Sequence, residues 1–430
     1  MGSEKLFPII TETIIGRSVE DYRKFGLKAT GYIGKHIVGT GEDTHLTTKV
    51  LIDLIKPHVI LVCGKRGSGK SYSAAVILEE FCNLEEEFRK KLAFVVVDPM
   101  GIYWSMKFPN EQQTALLKEW QLEPKGFKDL VRVYVPVKQK EDYERAGIPV
   151  DGTILISLRE FSAEDLILAF GLKRTEEISI ALEKNFNKLL VSGQAFGFEE
   201  LIEEIKKDSE TRIEVKNALA SLLEVVGQWG LIGKEGIKLE DLVQAGKVTI
   251  IDLSRMPSFE LRSLLVSLLA RKIYYTRVLA RKEEERVKIE GGKPEIVFPI
   301  TWLVLEESHN FIPSDREVAS SDAIKRLAKE GREPGIGLIV ITQMPNKVHQ
   351  DILSQCDLVI SFRLTSKDDL QALHAVYQSY MAEEIEKFIN KLPRWSGAAI
   401  ILDDMLEKVF TVNIRPRLSW HAGGTATVLF

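Results

Sequence analysis

Residues 64–71 read Gly-Lys-Arg-Gly-Ser-Gly-Lys-Ser, directly after the apolar run Val59–Cys63 and just before a second apolar stretch reaching Phe81. A turn needs one glycine, or two. Three glycines beside two lysines and an arginine suit a loop that something anionic must approach closely. Glycine lets successive backbone N–H groups point at one anion. A helix starting near Gly69 adds the positive end of its dipole. Lys70 is then placed to reach the β- and γ-phosphates of a nucleoside triphosphate, and the Ser71 hydroxyl to bind Mg²⁺. The segment Gly64, Lys65, Arg66, Gly67, Ser68, Gly69, Lys70, Ser71 and Tyr72 is therefore expected to hold ATP with Mg²⁺.

Hydrolysis of a bound triphosphate needs a metal ligand, a group that orients water, and a cation at the developing charge. Two apolar runs end in acids that compete for the first two roles: one at Asp252, the other at Glu306-Glu307. The second is preferred. Consecutive residues at a strand end face opposite ways, so one carboxylate can hold the Mg²⁺ and its water shell while the next polarises the attacking water. Asp98 ends a third strand before Pro99 and suits either a supporting place near the phosphates or a turn cap. Thr342 and Gln343 end the run "GIGLIVITQ", where a polar tip can sense the γ-phosphate. For the cation, spacing does not choose among Arg326, Arg332 and Arg363. His309 suits a hydrogen-bonded role better than metal binding, because no second histidine or cysteine stands at ligand spacing.

These residues need a scaffold of strands. From 51 to 156 the text alternates strand and helix. From 162 to 243 it turns helical. Strands return at 247–254, 300–307, 335–343, 356–364 and 397–404. Near-continuous Val, Ile and Leu in these runs is the texture of a parallel sheet covered on both faces. The expected fold is α/β: a P-loop core with a mostly parallel sheet, an inserted all-helical subdomain and a short β-rich N-terminal segment. The expected division is 1–50, 51–161, 162–245, 246–415 and a tail from 416 to 430. A formal net charge of −4 argues against a general coating of nucleic acid, though not against a local basic channel. Three scattered cysteines, and no run long enough to span a membrane, point to a reducing, cytoplasmic setting. A dinucleotide-binding oxidoreductase is a poor fit, since the glycine spacing is wrong for G-x-G-x-x-G.

Four stretches taken together, "GKRGSGKS", "LVLEESHNF", "KEGREPGIGLIVITQMP" and "LSQCDLVISFRLTSKDDLQAL", resemble the HerA branch of the HerA/FtsK superfamily over residues 31–420. "VVVDPMGIYW" also looks like that family's Asp-Pro-x-Gly segment. These are hexameric, RecA-like ATPases that pump DNA, most typical of archaea. The resemblance implies a core of the additional-strand, catalytic-glutamate type. It implies Lys70 and Ser71 on phosphate and Mg²⁺, Glu306 as metal acid, Glu307 as catalytic base, Gln343 as sensor and Arg332 as a finger into a neighbouring subunit. It implies double-stranded DNA as the track, a homo-hexamer and a NurA-type nuclease as partner. Three features depart from the pattern: a shorter stretch before the P-loop strand than the family's N-terminal barrel, Met344 where arginine is usual, and Glu306 in place of aspartate. Channel contacts are expected from Arg316, Lys325, Arg326 and Lys329. The alternatives are a secretion or conjugation ATPase and a nucleotide switch that gates a protein partner.

Overall fold

The computed structural model describes residues 12–39, 43–228, 230–256, 258–364, 366–374, 388–389, 391–393 and 395–424. One large sheet organises them. Its strands are β1 (Thr13–Ile15), β2 (Thr30–Val38), β3 (His45–Asp53), β4 (Val59–Cys63), β5 (Leu92–Asp98), β6 (Val131–Pro136) and β7 (Gly152–Ile154), then β8 (Val248–Asp252), β9 (Ile300–Leu305), β10 (Ile336–Thr342), β11 (Leu358–Ser361), β12 (Ala398–Asp403) and β13 (Lys408–Ile414). Across the sheet the order is β1-β3-β2-β13-β12-β11-β4-β10-β9-β5-β8-β6-β7. From β11 to β7 every pairing is parallel. From β11 through β12, β13 and β2 to β3 every pairing is antiparallel, and β1 then runs parallel to β3. Strand β10 lies between β4 and β9, so the sheet is an α/β P-loop core with one additional strand beside the P-loop strand.

The parallel strands are buried on both faces because alternate side chains enter two different cores. Ile60, Val62, Phe94, Val96, Trp302 and Val304 face one core. There they meet helix α1 (Lys70–Asn83), which buries Ala74, Ala75, Ile77, Leu78 and Phe81. Leu61, Val95, Val97, Leu303, Leu305 and Val340 face the other. This second core takes in α2 (Ala163–Ala169), α3 (Glu177–Val191), α4 (Phe198–Lys207), α5 (Ile213–Gly227) and the long α6 (Phe259–Glu290). Sequence signals set the helix ends. Ser162 and Asp165 form a reciprocal capping box before α2, and Ser258 accepts from the Leu261 amide at the start of α6. A short parallel pair, Ile156–Ser157 with Ile232–Gly233, joins the chain on either side of the α2–α5 block. Among the described residues, no helix is long and apolar enough to cross a membrane.

At the edge of the sheet where the parallel strands begin, a buried ionic cluster ties the N-terminal strands to the rest. Arg17 pairs with Asp53 and donates to the carbonyls of Gly26 and Lys28 at 2.6 and 2.9 Å. His58, just before β4, sits with Nδ1 2.7 Å from Asp357 and Nε2 3.5 Å from Asp53. Burial opposes its charge, but hydrogen bonds and attraction from Asp357 and Asp53 prevail and raise its pKa to about 9. The sign of the linkage follows: this stabilisation is complete below the ordinary pKa of 6.5 and is lost as pH rises through about 9. Denaturant unfolding should therefore lose on the order of 3 kcal/mol across that window. A His58→Gln variant should show a much flatter profile there, and an equal slope in both proteins would refute the assignment.

Candidate functional site

The loop after β4 has the form its glycines predict. Gly64 has φ 153°, and a Cβ there would lie 2.6 Å from both Phe362 Cβ and Ser68 Oγ, so only glycine fits. Gly69 is the N-cap of α1 and brings no side chain to cap the helix. The first-turn amides are thus left for an outside acceptor. Lys70, 8 % exposed, folds back so that Nζ donates to the Lys65 carbonyl at 2.9 Å across the loop. Burial lowers its pKa, while Glu307 and Glu306 act to hold its charge. Lys65, Arg66 and Gly67 are exposed at the loop tip. Ser68 Oγ is buried without a hydrogen-bond partner. Tyr72 is anchored instead: its hydroxyl donates to Gln113 Oε1 at 2.8 Å and accepts from the Arg417 amide at 2.7 Å.

Strand order decides which acid meets this loop. Glu306, at the end of β9, accepts from the Ser71 hydroxyl on Oε1 and from the Tyr103 hydroxyl on Oε2, the latter at 2.8 Å. Burial pushes its pKa up to about 7, with Glu307 adding to the rise and Ser71, Tyr103 and Lys70 opposing it. Glu307 turns the other way. Its backbone is left-handed, φ 51° and ψ 47°, a conformation that costs a glutamate on the order of 1–2 kcal/mol. Its Oε2 is buried with no hydrogen-bond donor and lies 3.4 Å from His309 Nδ1. Burial raises its pKa against the pull of Lys70 and Arg66. His309 bonds Thr342 Oγ1 at 3.0 Å, joining the ends of β9 and β10. Gln343 follows, half-buried at the tip of β10, which pairs directly with the P-loop strand.

The other acids hold structure. Asp252, on β8, accepts from the Tyr143 hydroxyl at 2.8 Å and the Ser254 amide at 2.9 Å, three strands beyond β10 in the sheet order. Asp98 accepts from the amides of Met100, Gly101, Ile102 and Tyr103 at 2.7–3.1 Å. Burial, with Asp252 opposite it in register, pushes its pKa to about 8.

The cations divide by location. Arg363 follows β11, and its carbonyl accepts from the Lys65 amide at 3.4 Å, at the P-loop edge. Arg332 lies at the opposite edge, before β10 begins. It donates to the Gln355 carbonyl at 3.1 Å and stands 3.6 Å from Asp357. A strand of seven residues spans about 20 Å, so Arg332 does not reach the P-loop of its own chain. Within 313–332 the cations are largely engaged. Lys325 pairs with Glu317 and Asp322, Arg326 with Glu330, and Lys329 with Asp351, while Arg316 lies over the Phe259 ring.

Two groups at the site escape sequence reasoning. One is Tyr103. The other is a brace under α1, where Glu79, fully buried, accepts from Arg415 Nη1 at 2.8 Å, the Ser419 hydroxyl at 2.6 Å and the amides of Leu418 and Ser419. The only sequence signal was a Glu79-Glu80 pair inside an apolar helix and Arg-Pro-Arg after the last strand.

A P-loop beside a strand-end glutamate pair, with one strand between, defines an additional-strand P-loop NTPase. The chain belongs to the HerA helicase family: residues 32–273, more than half its length, match the family model described as "Helicase HerA, central domain". It is 25 % identical over 365 residues to the DNA double-strand break repair helicase HerA of Pyrococcus furiosus, covering 74 % of this chain and 58 % of that protein. It is 23 % identical over 386 residues to the HerA helicase of Sulfurisphaera tokodaii, covering 89 % of this chain and 68 % of that one. The chain thus spans little more than half of the first relative. Among solved structures, VirB4 of Thermoanaerobacter pseudethanolicus superposes with a TM-score of 0.53 at 15 % identity, covering 89 % of this chain and 97 % of that one, a likeness of fold.

Proposed function

We propose that this chain is an ATP-driven motor that moves double-stranded DNA, working as a homo-hexameric ring in the processing of DNA ends. The observation that carries the reading is the convergence of Lys70, Ser71, Glu306 and Glu307 on one edge of the sheet. The donor set suits the ligands. Uncapped amides and Lys70 match a triphosphate. The Ser71 hydroxyl and Glu306 carboxylate are hard oxygen donors of the kind Mg²⁺ takes. Bound there, Mg²⁺ would neutralise charge on the β- and γ-phosphates.

In this reading the P-loop amides and Lys70 hold the phosphates, and Glu306 and Ser71 hold the metal. Glu307, its Oε2 without a donor, accepts the proton of the attacking water. Gln343, at the tip of the intervening strand, contacts the γ-phosphate. Arg332, remote from its own loop, serves the site of the next subunit, where such a group contributes about a thousandfold or more. That assignment requires a ring and is one reason to propose it. Its similarity to DNA double-strand break repair helicases supports a DNA track, and a NurA-type nuclease is the proposed partner.

The test is ATPase activity titrated with linear duplex. Severalfold stimulation is expected, falling steeply as salt rises because phosphate contacts release counterions. Turnover indifferent to DNA, in a protein that never forms rings, would remove the motor and leave a nucleotide switch or a secretion-type ATPase.

A further inference from the structure

We infer that Tyr103 is a positioning residue for Glu306: its hydroxyl occupies one carboxylate oxygen and so leaves the other, the one shared with Ser71, to face the metal. The inference rests on the reading of Glu306 as the metal acid. Its observations are separate ones.

The two oxygens of Glu306 are not equivalent. Ser71 donates to Oε1 and Tyr103 to Oε2. Ser71 is the helix-start hydroxyl assigned to the metal, so its hold on Oε1 is exchangeable. Tyr103 has no such alternative. It is fully buried, in the core that α1 shares with β6 and β8. Its backbone is fixed as firmly as its ring, because Asp98 accepts from four consecutive amides, the last being that of Tyr103 at 2.9 Å. Gly101 permits that tight loop. It has φ 65°, and a Cβ there would meet Ser254 Oγ at 2.6 Å. A buried, charge-assisted hydrogen bond from a rigid donor holds a carboxylate in one orientation.

The arrangement also accounts for glutamate at position 306. A glutamate has one more rotatable bond than an aspartate and loses more freedom when it is fixed. Tyr103 restrains that longer arm. An aspartate on the same backbone would fall short of the phenol.

The experiment follows binding of a fluorescent ATP analogue to the full chain, in EDTA and then across a Mg²⁺ titration. Tyr103→Phe keeps the ring and removes only the hydroxyl. It should leave binding in EDTA unchanged and lower the thermal midpoint by no more than a few degrees, while raising the Mg²⁺ concentration for half-maximal tightening about tenfold. Glu306→Asp, which draws back the metal-facing oxygen as well as breaking the Tyr103 contact, should raise it in both backgrounds, but by a smaller factor in the Tyr103→Phe background. A Mg²⁺ midpoint within about twofold of wild type, additive effects, or loss of EDTA binding in Tyr103→Phe would each overturn the inference. Glu306→Gln, run in parallel, separates the two readings. If it leaves the midpoint unmoved, Glu306 is not the metal acid. If it shifts the midpoint and Tyr103→Phe does not, only the role of Tyr103 falls.

Discussion

Glu307→Gln should lower ATP turnover by roughly a hundred- to ten-thousandfold, the range for loss of a general base, with nucleotide binding retained. The amide matches the carboxylate in shape, so the left-handed backbone at φ 51° and the contact with His309 should persist. What disappears is a buried oxygen able to accept a proton, since Oε2 has no donor of its own. Lys70→Ala is the natural comparison. It strips the cation that folds back to the Lys65 carbonyl, and should lose nucleotide affinity and turnover together. Equilibrium binding and single-turnover hydrolysis, measured side by side, separate the two. A Glu307→Gln protein that still hydrolyses within tenfold of wild type, or one that no longer binds ATP, would remove Glu307 from the role of base.

The second large effect concerns stability. Glu79→Gln should cost about 3–5 kcal/mol, the usual penalty when one member of a buried ion pair is removed. Arg415 is fully buried and Arg417 1 % exposed, and both stand against Glu79. Without the carboxylate, Arg415 keeps Glu80 at 2.6 Å and the Tyr32 carbonyl at 2.8 Å, but Arg417 loses its acid. Because Glu79 also receives the Leu418 and Ser419 amides, the segment after β13 should loosen first. Denaturant unfolding followed by tryptophan fluorescence would report it, since Trp420 lies in that segment. A loss below about 1 kcal/mol would mean that the charges find water as readily as each other.

The parts of this architecture legible in sequence are those governed by short-range rules. The P-loop, with β4 before it and α1 after it, is written in eight consecutive residues because phosphate binding uses adjacent amides. The buried parallel strands show as Val- and Ile-rich runs for the same local reason. What the sequence conceals is which strand lies beside which. Asp252 and Glu306 both end apolar strands, and it is the order β4-β10-β9 that brings Glu306 against Ser71. Tyr103 is hidden for a related cause: a tyrosine two residues past a glycine turn looks like core, and its partner is 203 positions away. The cations of 313–332 read as a basic patch because the acids that meet Lys325 and Lys329, Glu317 and Asp351, lie 8 and 22 positions away and come beside them only in the fold. Arg415 to Glu79 spans 336 positions, beyond any pattern of spacing.

Strand β13 occupies a particular place, between β12 and β2. Because a ribosome delivers the chain in one direction, the β2–β3 hairpin emerges with its outer hydrogen-bonding edge bare and must stay so until residues 408–414 follow. At 5–20 residues per second that wait is on the order of 20 to 75 seconds. A nascent chain therefore carries an unzipped seam while residues 54–407 are made, open to pairing with the same hairpin on a neighbouring nascent chain. Closure of the seam joins strands whose paired residues, His36 and Val412, are separated by nearly all of the core between them, and a premature stop codon only a few residues before position 408 would forfeit it.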